Sequence, residues 1–258
     1  MASFDYQNEK ASLQDALLKW YAHNGRKLPW RNTSNPYAIL VSEVMLQQTQ
    51  VDRVIPKYAE FLDLFPTIQA LAASPLSAVI KIWGGLGYNN RAVHLHKAAE
   101  IIVKQYNSNI PMEVEDLKSL PGIGSYTAAA VACFAFGIPV AAFDTNIYRV
   151  ISRLLFGLAP PSRSEIEKTA RVWLPTHSPS NWQQGLMDLG ATICTVKNPK
   201  CKACPLHSYC KAGENFQLQG NNNQDLSTHS VPYFPRQSKF KGSTRYYRGK
   251  IIAILRGL

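Results

Sequence analysis

The chain has 258 residues, 46% of them hydrophobic, enough for one large domain or two small ones with real cores, and too apolar for a chain disordered throughout. Lys and Arg number 28 against 17 Asp and Glu, and the net charge of +11 favours a polyanionic partner, nucleic acid before an anionic membrane. The longest apolar run, residues 128–143, is broken by Gly137 and Pro139, and residues 1–10 hold no apolar signal core; no membrane partner is expected, and the location expected is cytoplasmic, on the nucleoid.

Most of the chain reads as helix, with no alternating strand pattern and no internal repeat. Asp5 to Tyr21 carries a helical rhythm at Leu13, Leu17 and Trp20. Gly25 to Trp30 is a basic loop. Asn35-Pro36 has the form of a helix start, cap then first-turn proline, and the helix runs on through Leu46. Pro56, Pro66 and Pro75 are expected to punctuate further short helices. Gly84-Gly-Leu-Gly87 is a turn, followed by a helix from about Arg91 to Tyr106. A short helix, Val114 to Lys118, leads into Leu120-Pro-Gly-Ile-Gly124, and a helix of small residues follows. Another helix starts near Asp144 and runs to about Phe156. Residues 213–230 are polar and rich in Asn and Gln and read as a linker. The last stretch turns basic and then apolar, like the opening of a further module.

Three features point to chemistry. Four of the five cysteines crowd together as Cys194-x6-Cys201-x2-Cys204-x5-Cys210. In a reducing compartment this reads as metal binding, and spacing alone leaves structural zinc and an iron–sulfur cluster both open. The lysines around it, Lys197, Lys200, Lys202 and Lys211, either solvate a surface loop or meet phosphate. In the hairpin, Gly122 and Gly124 allow backbone angles closed to other residues, and the amides opening the next helix suit an anion. Such a turn is also a plain helix connection. Finally, Glu43 lies mid-way along an apolar helical run. A carboxyl there is costly to ionise, which raises its pKa and suits a general acid; the alternative is an acid on the wet stripe of an amphipathic helix. Asp144 is a good N-cap and, held near the positive end of its helix, is expected to stay ionised.

Together these motifs resemble a known family. The helix–Leu120-Pro-Gly-Ile-Gly124–helix frame resembles the helix-hairpin-helix element of the endonuclease III superfamily, and the cysteine pattern matches its [4Fe-4S] loop. Ser42-Glu-Val-Met-Leu-Gln-Gln-Thr-Gln50, with Leu28-Pro-Trp30 before it, is similar to the MutY family of adenine DNA glycosylases. So are Trp83-Gly-Gly-Leu-Gly-Tyr88, Leu186-Met-Asp-Leu-Gly190 and Ile193-Cys-Thr195. The resemblance covers about residues 10–212. It implies an all-α fold of two helical domains flanking a DNA cleft: a six-helix barrel over 28–139, and a cluster domain joining 1–27 to 140–212, with 213–258 as linker and basic tail. It implies a [4Fe-4S] cofactor on Cys194, Cys201, Cys204 and Cys210. The expected substrate is double-stranded DNA with adenine opposite 8-oxoguanine or guanine, bound by a monomer.

The resemblance also assigns roles. Glu43 protonates the adenine ring, Asp144 faces the sugar as it gains positive charge, and Asn146 supports that site. Relatives that also cut the strand carry a Lys where this chain has Tyr126, so hydrolysis without a Schiff base is expected; Tyr126 lines the pocket or packs on its helix. Gln47 and Gln48 reach into the duplex and Tyr88 wedges beside the orphan base; without the family these read as a solvated pair and a core aromatic. Leu120, Gly122 and Gly124 meet the backbone of DNA. Arg31 and Asp188 match positions near the adenine pocket, where Asp188 accepts from an exocyclic amine. Two departures bear on substrate preference: Asn89-Asn90 stand where the family has a second tyrosine and a small residue, and Thr145 stands where it often has glycine. Family members typically carry a C-terminal NUDIX-like domain that reads 8-oxoguanine, of which this sequence holds no complete copy. Two other readings remain: a thymine or uracil mismatch glycosylase of the same superfamily, and a DNA-binding protein without catalysis.

Overall fold

A computed structural model describes residues 6–213, 239 and 241–256. The linker assigned to 213–230 lies outside these residues except for Gly213. Among the described residues the regular structure is helical, with no strand. The chain divides into two compact units, one of Met1–Lys27 with Gly137–Tyr233, the other of Leu28–Phe136 with Phe234–Leu258.

The unit holding residues 28–136 is built around α2 (Pro36–Leu46). Asn35 caps it, its Oδ1 accepting from the amides of Tyr37 and Ala38 at 2.9 and 3.2 Å, and Pro36 takes the first position, where no donor is lost. Every residue from Tyr37 to Met45 is buried, because α2 packs against α3 (Val51–Leu64), α6 (Asn90–Gln105) and α8 (Ser125–Phe136). α4 (Ile68–Ala73) and α5 (Leu76–Ile82) cover α6, and α7 (Val114–Ser119) pairs with α8 across the hairpin. Phe61 meets Phe65 and Trp83 edge-on in the core, with ring centroids 5.0 and 6.0 Å apart. Pro56 corrects an expectation: it sits inside α3 rather than ending a helix. Its missing N–H removes one bond of that helix's ladder, yet Val54, Tyr58 and Phe61 bury its inner face, and that burial holds the helix through the gap.

The other unit packs α1 (Tyr6–Asn24) and α9 (Thr145–Phe156) against α11 (Pro179–Thr192), with α10 (Arg163–Trp173) on α9. Leu13 and Leu17 of α1 and Trp182 of α11 are essentially unexposed. Gly190 lets α9 and α11 meet closely: a Cβ there would fall 2.6 Å from Cβ of Asn146. α10 and α11 had no assignment from sequence, although α10 opens on a full capping box between Ser162 and Glu165. A further helix, Thr244–Arg256, occupies the basic and apolar C-terminal stretch.

Candidate active site and cysteine loop

In the unit around α2, Glu43 is buried at 5% exposure in a helix otherwise walled by apolar side chains, so the wet-stripe alternative does not hold. Gln47 caps the same helix, and its Nε2 donates to Thr127 Oγ1 at 3.1 Å and, more weakly, to the carbonyl of Gly122 at 3.4 Å. The glutamine turn and the hairpin are thus neighbours. Gln48 is exposed and adopts φ 57; Tyr88 is 40% exposed and adopts φ 46. Both side chains therefore leave left-handed backbone positions that are usually glycine. Arg31 closes a short 3-10 turn, Pro29–Arg31, and is half-buried, as is Tyr126 on the first turn of α8.

The hairpin divides its labour between neighbours. Leu120 and Ile123 are buried at 2% and 5% exposure. Leu120 is therefore corrected from a DNA contact to an apolar anchor, while Gly122 and Gly124 are the exposed positions. Gly122 has φ 77, and a Cβ there would meet Cβ of His94 at 2.7 Å, so both the angle and the space exclude a side chain.

In the other unit, Asp144 caps α9. Its Oδ1 accepts from the amide of Ile147 at 2.7 Å and its Oδ2 from the side-chain amide of Asn146 at 2.8 Å. Burial pushes this carboxyl upward, opposed by those two donors and by the charge of Arg149, and the net direction is up. The helix end alone had suggested the reverse. Arg149 extends the network. Its Nη2 donates to Asn146 Oδ1 at 2.8 Å and to the carbonyl of Gly190 at 2.7 Å, and its Nε to the carbonyl of Cys194 at 2.8 Å. One turn on, the buried Arg153 donates to the carbonyls of Thr195 and Val196 and approaches Cys194 Sγ at 3.6 Å. Neither arginine stands out in the sequence, since apart from Asn146 and Cys194 Sγ the acceptors named here are backbone carbonyls some forty residues away.

Asp188 is corrected. Its side chain has no exposure, and Arg26 takes both oxygens, Nε on Oδ1 at 2.6 Å and the backbone amide on Oδ2 at 2.8 Å. It pins the segment after α1 to α11, so its carboxylate is not presented to a nucleobase.

The four cysteines line one cavity with Arg153, Ile193, Pro199 and His207. The loop's end is tied to α9, where the amides of Lys211 and Ala212 donate to the carbonyls of Leu154 and Arg153. Burial pushes the Cys204 thiol up to about 12 and Cys210 up to about 11, with repulsion from neighbouring sulfurs adding to it. Among the described residues no group of three or more His, Cys, Asp or Glu side chains is arranged to hold a single metal ion. Lys197, Lys200, Lys202 and Lys211 are exposed around the loop.

Residues 41–176, which include Glu43, the hairpin and Asp144, match the HhH-GPD superfamily of base excision DNA repair proteins. The chain is 40% identical over 243 residues to an adenine DNA glycosylase of Mycolicibacterium smegmatis, covering 93% of this chain and 79% of that one. The chain belongs to the HhH-GPD superfamily, in its adenine DNA glycosylase family. It is also 38% identical to the adenine DNA glycosylase of Mycobacterium tuberculosis, over 93% of this chain and 77% of the relative, and 37% identical to that of Homo sapiens, over 82% and 41%. Among solved structures, the family fold extends to a thermostable thymine-DNA glycosylase, with a TM-score of 0.76 and 29% identity over 82% of this chain and all of that one. A non-covalent endonuclease III–DNA complex matches at a TM-score of 0.70 and 27% identity, over 83% and 99%. Among the described residues no helix is long and apolar enough to cross a membrane.

Proposed function

We propose that this protein is a monofunctional glycosylase that hydrolyses the bond between adenine and deoxyribose in double-stranded DNA, where the adenine lies opposite 8-oxoguanine or guanine, and that it acts as a monomer. Glu43 carries the reading. A carboxyl at 5% exposure in an apolar helix is shielded from solvent, and in this reading it delivers a proton to the departing base. Asp144, fixed by Ile147 and Asn146, faces the sugar as it gains positive charge. Gln48 and Tyr88 fill the stack that the base leaves, and Gly122 and Gly124 bring backbone amides to a phosphate. The named relatives favour adenine over the thymine of the glycosylase with the similar fold.

The cysteine loop fits a [4Fe-4S] cluster. Its donors are all thiols, all four line one cavity, and their buried, mutually repelling sulfurs gain from a cationic centre between them. Such a cluster supplies a rigid crosslink rather than a reaction step, and it presents the surrounding lysines to the DNA backbone.

The test is a panel of duplexes carrying A:8-oxoguanine, A:G, T:G and U:G, developed with alkali and, separately, with borohydride. Free adenine from the first two, strands cut only after alkali and no efficient trapping are expected, since Tyr126 offers no amine to the sugar. Excision confined to T:G or U:G, or trapping at the rate of excision, sinks the reading.

A further inference from the structure

Arg91 is buried at 8% exposure, at the start of α6, and the acceptors described for it are carbonyls and one hydroxyl rather than an acid. Its guanidinium gathers backbone carbonyls from two separate turns. Nη1 donates to the carbonyls of Val44, Met45 and Gln47 at 2.9, 2.7 and 2.7 Å. Nη2 donates to Gly87 and, at 3.3 Å, to Leu86, and to Thr49 Oγ1 at 3.0 Å. Nε reaches the carbonyl of Tyr88 at 3.4 Å. The group also lies 5.4 Å from the Trp83 ring centroid and 5.7 Å from that of Tyr88.

The first set of carbonyls closes α2. Helix ends leave such carbonyls unpaired, and a cation there also answers the negative end of the helix. The second set closes the turn before α6. Each turn holds one non-glycine residue at positive φ, Gln48 and Tyr88, a conformation that crowds Cβ against the backbone. Strain of this kind persists only where surrounding contacts fix it. Arg91 touches both turns, at Gln47 and Thr49 on either side of Gln48 and at Gly87 and the carbonyl of Tyr88 itself, and Thr49 Oγ1 adds a longer bridge to the carbonyl of Leu86 at 3.4 Å.

We infer that Arg91 is a positioning residue: it locks Gln48 and Tyr88 in their left-handed conformations and thereby sets how these side chains read a mispair. The inference rests on the proposed role of those two residues at the lesion. Lys cannot substitute, because three donors on one nitrogen do not reach acceptors spread around a planar fork.

The experiment compares wild type with Arg91→Lys in the whole protein. Amide hydrogen exchange reads the turns without DNA, through the amides of Thr49 and Leu86, which donate to the carbonyls of Leu46 and Trp83. Affinities for A:8-oxoguanine and matched duplexes read the consequence. In Arg91→Lys, protection at Thr49 and Leu86 is expected to fall about tenfold while the interior of α8 is unchanged. The preference for mispaired over matched duplex is expected to fall about tenfold with matched affinity retained, because the charge is kept. If Arg91→Lys does not fold, Thr49→Val removes the side-chain acceptor of Arg91 together with the longer Oγ1 contacts to the carbonyls of Gln47 and Leu86, and, read at the amide of Leu86 and against the interior of α8, is expected to lower protection in the same direction. Unchanged exchange at both turns overturns the inference, as does equal loss of matched and mispaired binding. A wild type with no preference for mispaired duplex defeats the proposed function instead, and the exchange result still decides the role of Arg91.

Discussion

The side-chain amide of Asn146 donates to Oδ2 of Asp144 at 2.8 Å, while its carbonyl accepts from Arg149, whose Nε donates to the carbonyl of Cys194. The capping carboxylate of α9 and the first residue of the cysteine loop therefore share one hydrogen-bonded line. Asn146 can serve both neighbours because an amide both donates and accepts.

This relationship fixes the sign of a pH effect. Burial raises the Asp144 carboxyl, and the Asn146 donor opposes that rise. The proposed chemistry uses the ionised form, so excision falls as pH drops through this pKa. Asn146→Ala removes a lowering contact and is expected to move the acid limb of the single-turnover rate to higher pH. A limb that stays in place, or moves down, shows that Asn146 does not tune Asp144.

Gly190 offers a steric test of the same site. In Gly190→Ala the new methyl would fall 2.6 Å from Cβ of Asn146 and 3.2 Å from Nη2 of Arg149, so α9 must shift. A loss of about 1–3 kcal/mol in stability is expected, with slower excision. Gly185→Ala is the control. It presses on Leu17 and Tyr21 of α1 at 3.3 Å, away from Asp144, and is expected to leave the excision rate unchanged. Thermal melts and single-turnover rates of the two variants separate these outcomes; equal effects on excision would mean general loosening.

The proposed cluster is open to direct analysis. Protein purified without oxygen is expected to be brown, to absorb broadly near roughly 400 nm and to hold about four irons per chain. Removing the iron is expected to lower the melting temperature and weaken duplex binding, since the loop carrying Lys197, Lys200 and Lys202 loses its crosslink. One zinc and no iron in fresh protein would contradict the assignment.

Local signals made part of this structure legible in the sequence. Asn35-Pro36 and Asp144 announce helix starts because a cap acts on amides two or three residues away. Glu43 stood out as one acid in an apolar run, and the cysteines by their spacing. Leu120 misled, because a motif residue beside exposed glycines is itself apolar and buries. Asp188 misled for another reason: its partner Arg26 is 162 positions away, and nothing local reveals that pairing. Arg91, Arg149 and Arg153 do not stand out in the sequence, since most of their acceptors are backbone carbonyls, many of them some forty residues away, which any sequence supplies. Pro56 reads as a helix breaker, and only tertiary burial of α3 overrides it.

The account stands most directly on Glu43, and the measurement is single-turnover release of adenine from an A:8-oxoguanine duplex by wild type and Glu43→Gln. The amide keeps the shape of the side chain but cannot deliver a proton. Glu43→Gln is expected to bind the duplex as wild type does and to release adenine slower by about a hundredfold or more. Release by Glu43→Gln at close to the wild-type rate would contradict the assignment of Glu43 as the acid, and with it the proposed mechanism.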